Sequence, residues 1–354
     1  MPGTGIYSPR SFSFQSPDQN LAQDWHSTAS HAKCECNMFK PSRANNHLFL
    51  LFSQLIPSST DINHGRLSVK MAAEPSPEWD RPIVAEYETR VEPFTGSFVE
   101  EMMQPFCKQI ASKTGGSPTL LDIGCGTGFG SIYASRKQFQ VTATDVSSFM
   151  VERTKERSTA LEEQIECVVS NGQNLPSAWT GKFDYAIGSF SVIFFKDIKL
   201  GLEQIYRCLK AEGQIVISSW GNAEETAAFQ VFPDAIKEIA PELHESSKPK
   251  RITGSPPVLS SLLKEAGFVN VNVLGPVQRF ISLPCSEAFF DRFALASPNT
   301  KLALSKLSFE KQSKLKQKVM SLVEERGGRS DGSIRIPSSA YFAYGTKPAS
   351  LQSK

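Results

Sequence analysis

The chain has 354 residues, of which 40% are hydrophobic and 21% charged, with a net charge of +2. That length allows one large domain with additions or two small ones, and the near-neutral balance removes a general electrostatic case for nucleic acid or an anionic membrane as partner. Seven cysteines, at 34, 36, 107, 125, 167, 208 and 285, show no CxxC spacing, which reads as free thiols in a reducing compartment. Cys34 and Cys36 lie near His26 and His31, but without a second ligand pair at zinc-site spacing no metal is expected.

Residues 1–70 are rich in Ser, Asn, Gln and Pro and hold four of the five histidines, His26, His31, His47 and His64. Their one apolar run, Leu48 to Ile56, is too short to span a bilayer and too far into the chain for a secretory signal. The segment is Ser-rich and poor in acids, as transit peptides are, but it is also poor in Arg and has no clean amphipathic face. The expectation is a disordered N-terminal extension over 1–70. The protein is expected in the cytoplasm, or in mitochondria if that extension is a transit segment. Domain-like sequence begins near Met71. Trp79 to Glu88 reads as a turn entering a helix, with Pro82 in its first turn. Phe94, Phe98, Met102, Met103 and Phe106 then recur at helical spacing, predicting an amphipathic helix over 95–112.

Thr119 to Ile123 reads as a short apolar strand running into a glycine-rich turn, with glycines at 124, 126, 128 and 130. Such a turn lets backbone N–H groups approach a ligand. The dinucleotide fingerprint G-x-G-x-x-G would need glycine where Phe129 stands. Gln140 to Asp145 reads as the second strand. Asp145 lies about twenty residues past the turn, where βαβ nucleotide units place the carboxylate that takes the ribose hydroxyls. Residues 148–163 form a polar helix pattern, and Ile165 to Ser170 the third strand. Asn171-Gly172-Gln173-Asn174-Leu175-Pro176 follows. Lys182 to Ser189 is the fourth strand, with Asp184 structural at its start and Ser189, Phe190 and Ser191 at its carboxyl end. Ile198 to Leu209 is a helix stopped at Gly213, and Gly213 to Trp220 the fifth strand.

In the last third, helices are predicted over Thr226 to Ile239 and Val258 to Ala266, and a strand over Phe268 to Leu274. A separate edge strand at Phe280 to Ser282, helical sequence over 286–327 and a last strand over Pro337 to Thr346 complete the reading. Lys301, Lys306, Lys311, Lys314, Lys316 and Lys318 alternate with leucines. Given the overall charge, they read as a solvated helix face rather than a nucleic-acid or membrane surface.

The series Asp122-x-Gly124-x-Gly126-x-Gly128, Asp145 after strand two, Leu175-Pro176, Phe183-Asp184 and Leu209-Lys210-x-x-Gly213 resembles, in order and spacing, the class I S-adenosylmethionine (SAM)-dependent methyltransferases. The match is to the methyltransferase type 11, ubiquinone-biosynthesis-type branch, and covers about 117–222. The resemblance implies a Rossmann-like α/β fold, a seven-stranded sheet of order 3-2-1-4-5-7-6 with strand 7 antiparallel and helices on both faces. It implies a helical cover of the active site at 71–115, a methyltransferase domain at 116–348, and within it a helical insertion or lid at 284–330. It implies SAM as cofactor, contacted by Asp122, Gly124, Cys125, Gly126, Thr127, Gly128, Asp145, Val146, Asn171, Gly172, Gln173, Ser189 and Phe190. Tyr87 becomes the candidate aromatic residue near the methionine end, and packing at a helix end accounts for it equally. Asn171 departs from the family's Asp, whose side chain accepts from the adenine amino group; an amide oxygen can still accept that bond.

A hydroxyl acceptor would need a base, and no His lies at a predicted strand end, so oxygen, nitrogen and carbon acceptors all stay open and no catalytic base is named. The expected partner is a small-molecule substrate, without nucleic acid or stable membrane insertion, the protein being a monomer or homodimer. The alternative is a SAM-binding regulatory protein of the same fold without turnover. An NAD-dependent oxidoreductase is disfavoured by Phe129.

Overall fold

The computed structural model describes residues 79–111, 115–247, 254–296 and 298–349. The expectations for residues 1–70, including the Cys34 and Cys36 region, lie outside the described residues. The described residues all fall in the compact unit that begins at Val69.

Three helices precede the sheet: α1 (Arg81–Arg90), α2 (Glu92–Gly96) and α3 (Val99–Ala111). The Asp80 carboxylate accepts from the Ile83 N–H at 2.9 Å, and a proline stands in the first turn of α1, so α1 starts where capping chemistry dictates. The helix expected over 95–112 is divided, because Phe94 belongs to α2 and Ser97 and Phe98 form the turn before α3.

The alternating unit follows as β1 (Thr119–Ile123), α4 (Phe129–Arg136), β2 (Gln140–Asp145), α5 (Ser148–Ala160), β3 (Ile165–Val169), β4 (Phe183–Gly188), α6 (Ile198–Cys208) and β5 (Leu209–Trp220). Then come α7 (Ala227–Ile239), α8 (Pro241–Ser247), α9 (Pro256–Glu265), β6 (Val269–Leu283), α10 (Ser286–Ala296), α11 (Pro298–Ser305), α12 (Phe309–Gly327) and β7 (Ile334–Thr346). The strands form one seven-stranded sheet of order β3-β2-β1-β4-β5-β7-β6. β1 pairs parallel with β2 and β4, while β7 runs antiparallel between β5 and β6. This is the Rossmann-like order expected from the sequence.

Both faces of the sheet are covered. Leu120, Tyr185, Ile187, Val216 and Phe342 join one core with α3, α7 and α12, and Leu121, Ala186, Ile215, Ile217 and Ala343 join the other with α6 and α9. Alternate residues of β1, β5 and β7 serve opposite cores because successive strand side chains point to opposite faces. Each fully buried Leu or Phe contributes about 1.5–3 kcal/mol by removal from water. Polar bonds fix α3 on the sheet. Tyr344 donates to the Met102 carbonyl at 2.9 Å and Tyr185 to Gln109 Oε1 at 3.2 Å. Asp184 has the structural place expected of it, accepting from the Thr119 N–H and hydroxyl and pairing with Lys210.

Three local expectations are corrected. The helix expected to stop at Gly213 ends at Cys208, and Leu209 already begins β5. The stop comes from Lys347, whose ammonium donates to the Tyr206 and Leu209 carbonyls, a tertiary cap invisible to local sequence. The two strand segments at 268–274 and 280–282 form one strand, β6, because its ladder with β7 resumes after a register shift between Leu274 and Val277. The helical stretch at 286–327 is three helices, with Pro298 starting the second and Ser308 capping the third. Along α12, Lys311, Lys314, Lys316 and Lys318 pair with Glu242, Glu310, Glu287 and Glu238, which neutralises the basic face.

Candidate active site

The turn between β1 and α4 has Gly124 at φ 67°, Gly126 at φ 55° and Gly128 at φ 95°. A side chain at Gly124 would overlap Ser191, and a Cβ on Gly128 would lie 2.8 Å from Thr154 Cγ2. Glycine is therefore demanded there by conformation and by close approach together. The turn is tied down from below. The Cys125 N–H donates to the Thr144 carbonyl at 2.8 Å, and the Thr154 hydroxyl donates to the Gly126 carbonyl at 2.9 Å. Burial raises the Cys125 thiol well above its ordinary range, leaving it protonated and inert.

Asp122 is buried at the end of β1, where it accepts the Ser131 hydroxyl at 2.6 Å. Burial, helped by the charge of Asp145 and opposed by the Ser131 bond, pushes its carboxyl up to about 7. Asp145 ends β2. Its Oδ2 accepts from the Gly126 N–H at 3.0 Å and its Oδ1 from the Ser147 N–H at 2.9 Å. Burial lifts it to about 6 against the opposing backbone N–H groups of Ser147, Gly126 and Val146. Ser147 takes over the helix cap of α5, so Asp145 is not needed there.

The other predicted residues gather along the same carboxyl edge. Val146 beside Asp145 is 39% exposed. The Ser170 N–H bonds the Asp145 carbonyl at 2.9 Å, which brings the loop after β3 alongside. In that loop Asn171 Oδ1 accepts from the Gln173 N–H at 2.9 Å, and Gln173 Oε1 accepts from the Asp197 N–H at 2.8 Å. Asn171 thus has a turn role of its own, with one oxygen lone pair left. Gly172 lies against the Phe195 ring. Past β4, Ser189 is partly exposed, and Phe190 sits at φ 53° with its N–H on the Ser218 hydroxyl at 2.8 Å. Its ring stacks on Trp220 at 3.9 Å. Ser191 donates to the Ile123 carbonyl, joining this loop to the start of the glycine turn.

Tyr87 lies over the turn from α1, its Cε1 3.7 Å from where a Cβ on Gly126 would sit. Its hydroxyl is 3.5 Å from Thr95 Oγ1. Burial, more than the nearby charges of Glu92 and Asp145, pushes the phenol up to about 12, so it remains protonated near neutrality and serves as a donor, not a base. Thr127 has its hydroxyl turned into the protein, donating to Glu92 while its carbonyl accepts from Arg157 at 2.7 Å.

Glu92, Thr154 and Arg157 were not singled out in the sequence, yet all three grip the turn. A signal existed for two of them. Thr154 and Arg157 share the buried face of α5 with Met150, Val151 and Ser158, and polar side chains on a helix's apolar face call for partners. Among the described residues, no group of three or more His, Cys, Asp or Glu side chains could hold a metal ion.

Residues 120–213 match the family model described as a methyltransferase domain. The chain is 27% identical over 179 residues to phosphoethanolamine N-methyltransferase 1 of Arabidopsis thaliana, covering 48% of this chain and 32% of that protein. It is 28% identical over 167 residues to demethylmenaquinone methyltransferase of Bacteroides fragilis, covering 43% and 68% respectively. A solved structure of a putative methyltransferase from Bacillus halodurans aligns with 18% identity and a TM-score of 0.48 over 72% of this chain and 100% of that one. The matched segment spans the glycine turn and Asp145 and lies within a sheet of the Rossmann-like methyltransferase order, so residues 120–213 form a methyltransferase domain of the SAM-dependent kind.

The cofactor of that family is SAM, and the residues present suit it. Each Asp145 oxygen takes one backbone N–H and keeps acceptor capacity for one hydroxyl of a vicinal diol. The exposed apolar side chain of Val146 stands where a flat, weakly polar base could rest beside that diol. Gly124, Gly126 and Gly128 keep the backbone of the turn clear of side chains on its own account.

Proposed function

We propose that the protein transfers a methyl group from SAM to a small-molecule acceptor, by in-line displacement at the carboxyl edge of β1, β2 and β4. The single observation that carries this reading is Asp145, a half-buried carboxylate bonded to the N–H of the glycine turn and to the head of α5. That arrangement aims a fixed pair of acceptor oxygens at the site of a ribose. The backbone of Gly124, Cys125, Gly126, Thr127 and Gly128 would run beneath the methionine and ribose portions. Asp122, held by Ser131, would fix the turn from below. Val146 and the loop Asn171 to Gln173 would border the adenine, with Ser189 and Phe190 closing the side next to the acceptor.

When bound, SAM supplies a methyl group already activated by the positive sulfonium, so positioning is the main task left to the chain. The side chains at the ends of β4 and β5 suit that task. Phe190 stacks on Trp220 at 3.9 Å, Phe229 lies 4.6 Å from Trp220 and Phe94 5.9 Å from it. A wall of ring faces excludes water and favours an acceptor with an apolar or planar body. Tyr87, protonated near neutral pH, can orient a group but cannot remove its proton, which supports acceptors that need no strong base.

The test is transfer of isotopically labelled methyl from SAM across a panel of amines, phenols and carbon nucleophiles of low mass. Label appearing in at least one acceptor, with S-adenosylhomocysteine formed in equal amount, is the expected result. Tight SAM binding with no transfer across the panel would contradict the enzymatic reading.

A further inference from the structure

Around the glycine turn, one group of charges stands apart from the rest by its burial. Glu92 is 4% exposed and Arg157 8%. The Arg157 guanidinium Nη1 reaches both Glu92 oxygens, at 2.8 and 2.7 Å, and also the Thr127 carbonyl at 2.7 Å. The Thr127 hydroxyl donates to the same Glu92 carboxylate. The turn is therefore held at one residue from two directions, by its side chain from α2 and by its carbonyl from α5. Arg157 Nε also lies 3.6 Å from Glu88 of α1, a second largely buried contact of the same guanidinium, whereas Arg81 with Glu152 and Arg153 with Glu88 are more exposed.

Exposed pairs contribute little to holding two elements together. A buried pair with its remaining valences filled behaves differently, because opening it leaves an uncompensated charge in the protein. In this protein the pair joins the segment that carries Tyr87, whose ring lies over Gly126, to the turn itself. Nothing in simple core packing requires a carboxylate at Glu92. Its neighbours Phe94, Phe98 and Val99 already bury α2 and α3 against the apolar core.

We propose that Glu92 and Arg157 are positioning residues that lock the α1–α2 cover onto Thr127, so that the lock sets how fast SAM leaves the glycine turn. The inference rests on the SAM reading above and adds to it the element that governs retention. With the lock closed, Tyr87 stays over Gly126 and the exit beside the turn is covered. Release then requires the cover to part from Thr127, and the buried pair makes that opening rare.

Two variants of the full chain test this. Glu92→Gln keeps the shape and removes the charge. Thr127→Val removes only the hydroxyl that reaches Glu92 and leaves the ion pair intact, and it decides the matter alone should Glu92→Gln fail to fold. The readouts are the SAM dissociation rate by stopped-flow and, without SAM, amide hydrogen exchange across 81–96. The expected result is a SAM dissociation rate at least about tenfold faster in both folded variants, a change equivalent to about 1.4 kcal/mol, and faster exchange over 81–96 in Glu92→Gln. An unchanged dissociation rate in either folded variant overturns the proposal, whatever the exchange does, since a merely stabilising pair would lower the melting temperature and leave dissociation alone. If the unaltered protein binds no SAM, it is the cofactor reading that falls, and exchange across 81–96 still decides whether the lock exists.

Discussion

At the scale of single residues, the two carboxylates beneath and beside the glycine turn carry the strongest chemical signature. Burial lifts Asp122 to about 7 and Asp145 to about 6, both from an ordinary 3.8. A carboxyl whose folded value is raised holds its proton more firmly folded than unfolded. Its contribution to stability is present below the unfolded value and is lost as pH rises through the folded one. For the ligand-free protein this predicts a melting temperature that declines between about pH 4 and pH 7, and a flatter decline in Asp122→Asn, checked by calorimetry. SAM affinity should run the other way. The ribose hydroxyls need the ionised Asp145, so titration with SAM should show affinity constant above about pH 7 and falling steadily below about pH 6. A third expectation concerns Gly128 at φ 95°, pressed against Thr154. Gly128→Ala should cost about 1–2 kcal/mol from the left-handed conformation alone, read as a lowered denaturation midpoint.

At the scale of elements, α5 has two jobs. Its first turn is capped by Ser147 next to Asp145, and its buried face sends Thr154 and Arg157 to the carbonyls of Gly126 and Thr127. Arg157→Met, which abandons Glu92 in the interior, should destabilise the protein by about 3–5 kcal/mol. Pairing it with Glu92→Leu should recover most of that loss, and denaturant titration of the two variants measures the difference. The alternating elements from β1 to β5 were legible largely because β1, β2 and β4 end at or just before residues whose chemistry is local, Gly124, Asp145 and Gly188. The end of α6 was not, since its stop lies in Lys347, far along the chain. Nor was the continuity of β6, which read as two separate segments until the partner strand carried the ladder past Gly275 and Pro276. The grip of Glu92 on Thr127 was equally hidden. Only tertiary packing buries that glutamate.

At the scale of the whole molecule, the parallel half of the sheet supplies the carboxyl edge that carries the glycine turn and Asp145, and in the function proposed above the elements that follow β5 close the acceptor side. Trp220, the last residue of β5, is the hub of the ring cluster that includes Phe94, Phe98, Phe190 and Phe229. These rings come from four separate stretches of chain, and of them the sequence marked only Phe190 for the site, with Phe94 and Phe98 read as helix-packing positions. Which of them would converge beside Phe190 depended on how α2 and α7 pack against the ends of β4 and β5. If the ring cluster borders the acceptor as proposed above, Trp220→Ala should leave SAM affinity within about twofold while depressing methyl transfer far more, because aromatic faces mainly exclude water and orient a planar body. Parallel binding and transfer assays on the one variant measure that split.

The central claim is that this chain holds SAM at the glycine turn through Asp145. Isothermal titration of SAM into the unaltered protein and into Asp145→Ala tests it most directly, with NAD as the comparison ligand. The account predicts one SAM per chain for the unaltered protein, no heat with NAD, and loss of measurable SAM binding in a folded Asp145→Ala. Equal SAM affinity in the two proteins, or binding of NAD in place of SAM, would contradict it.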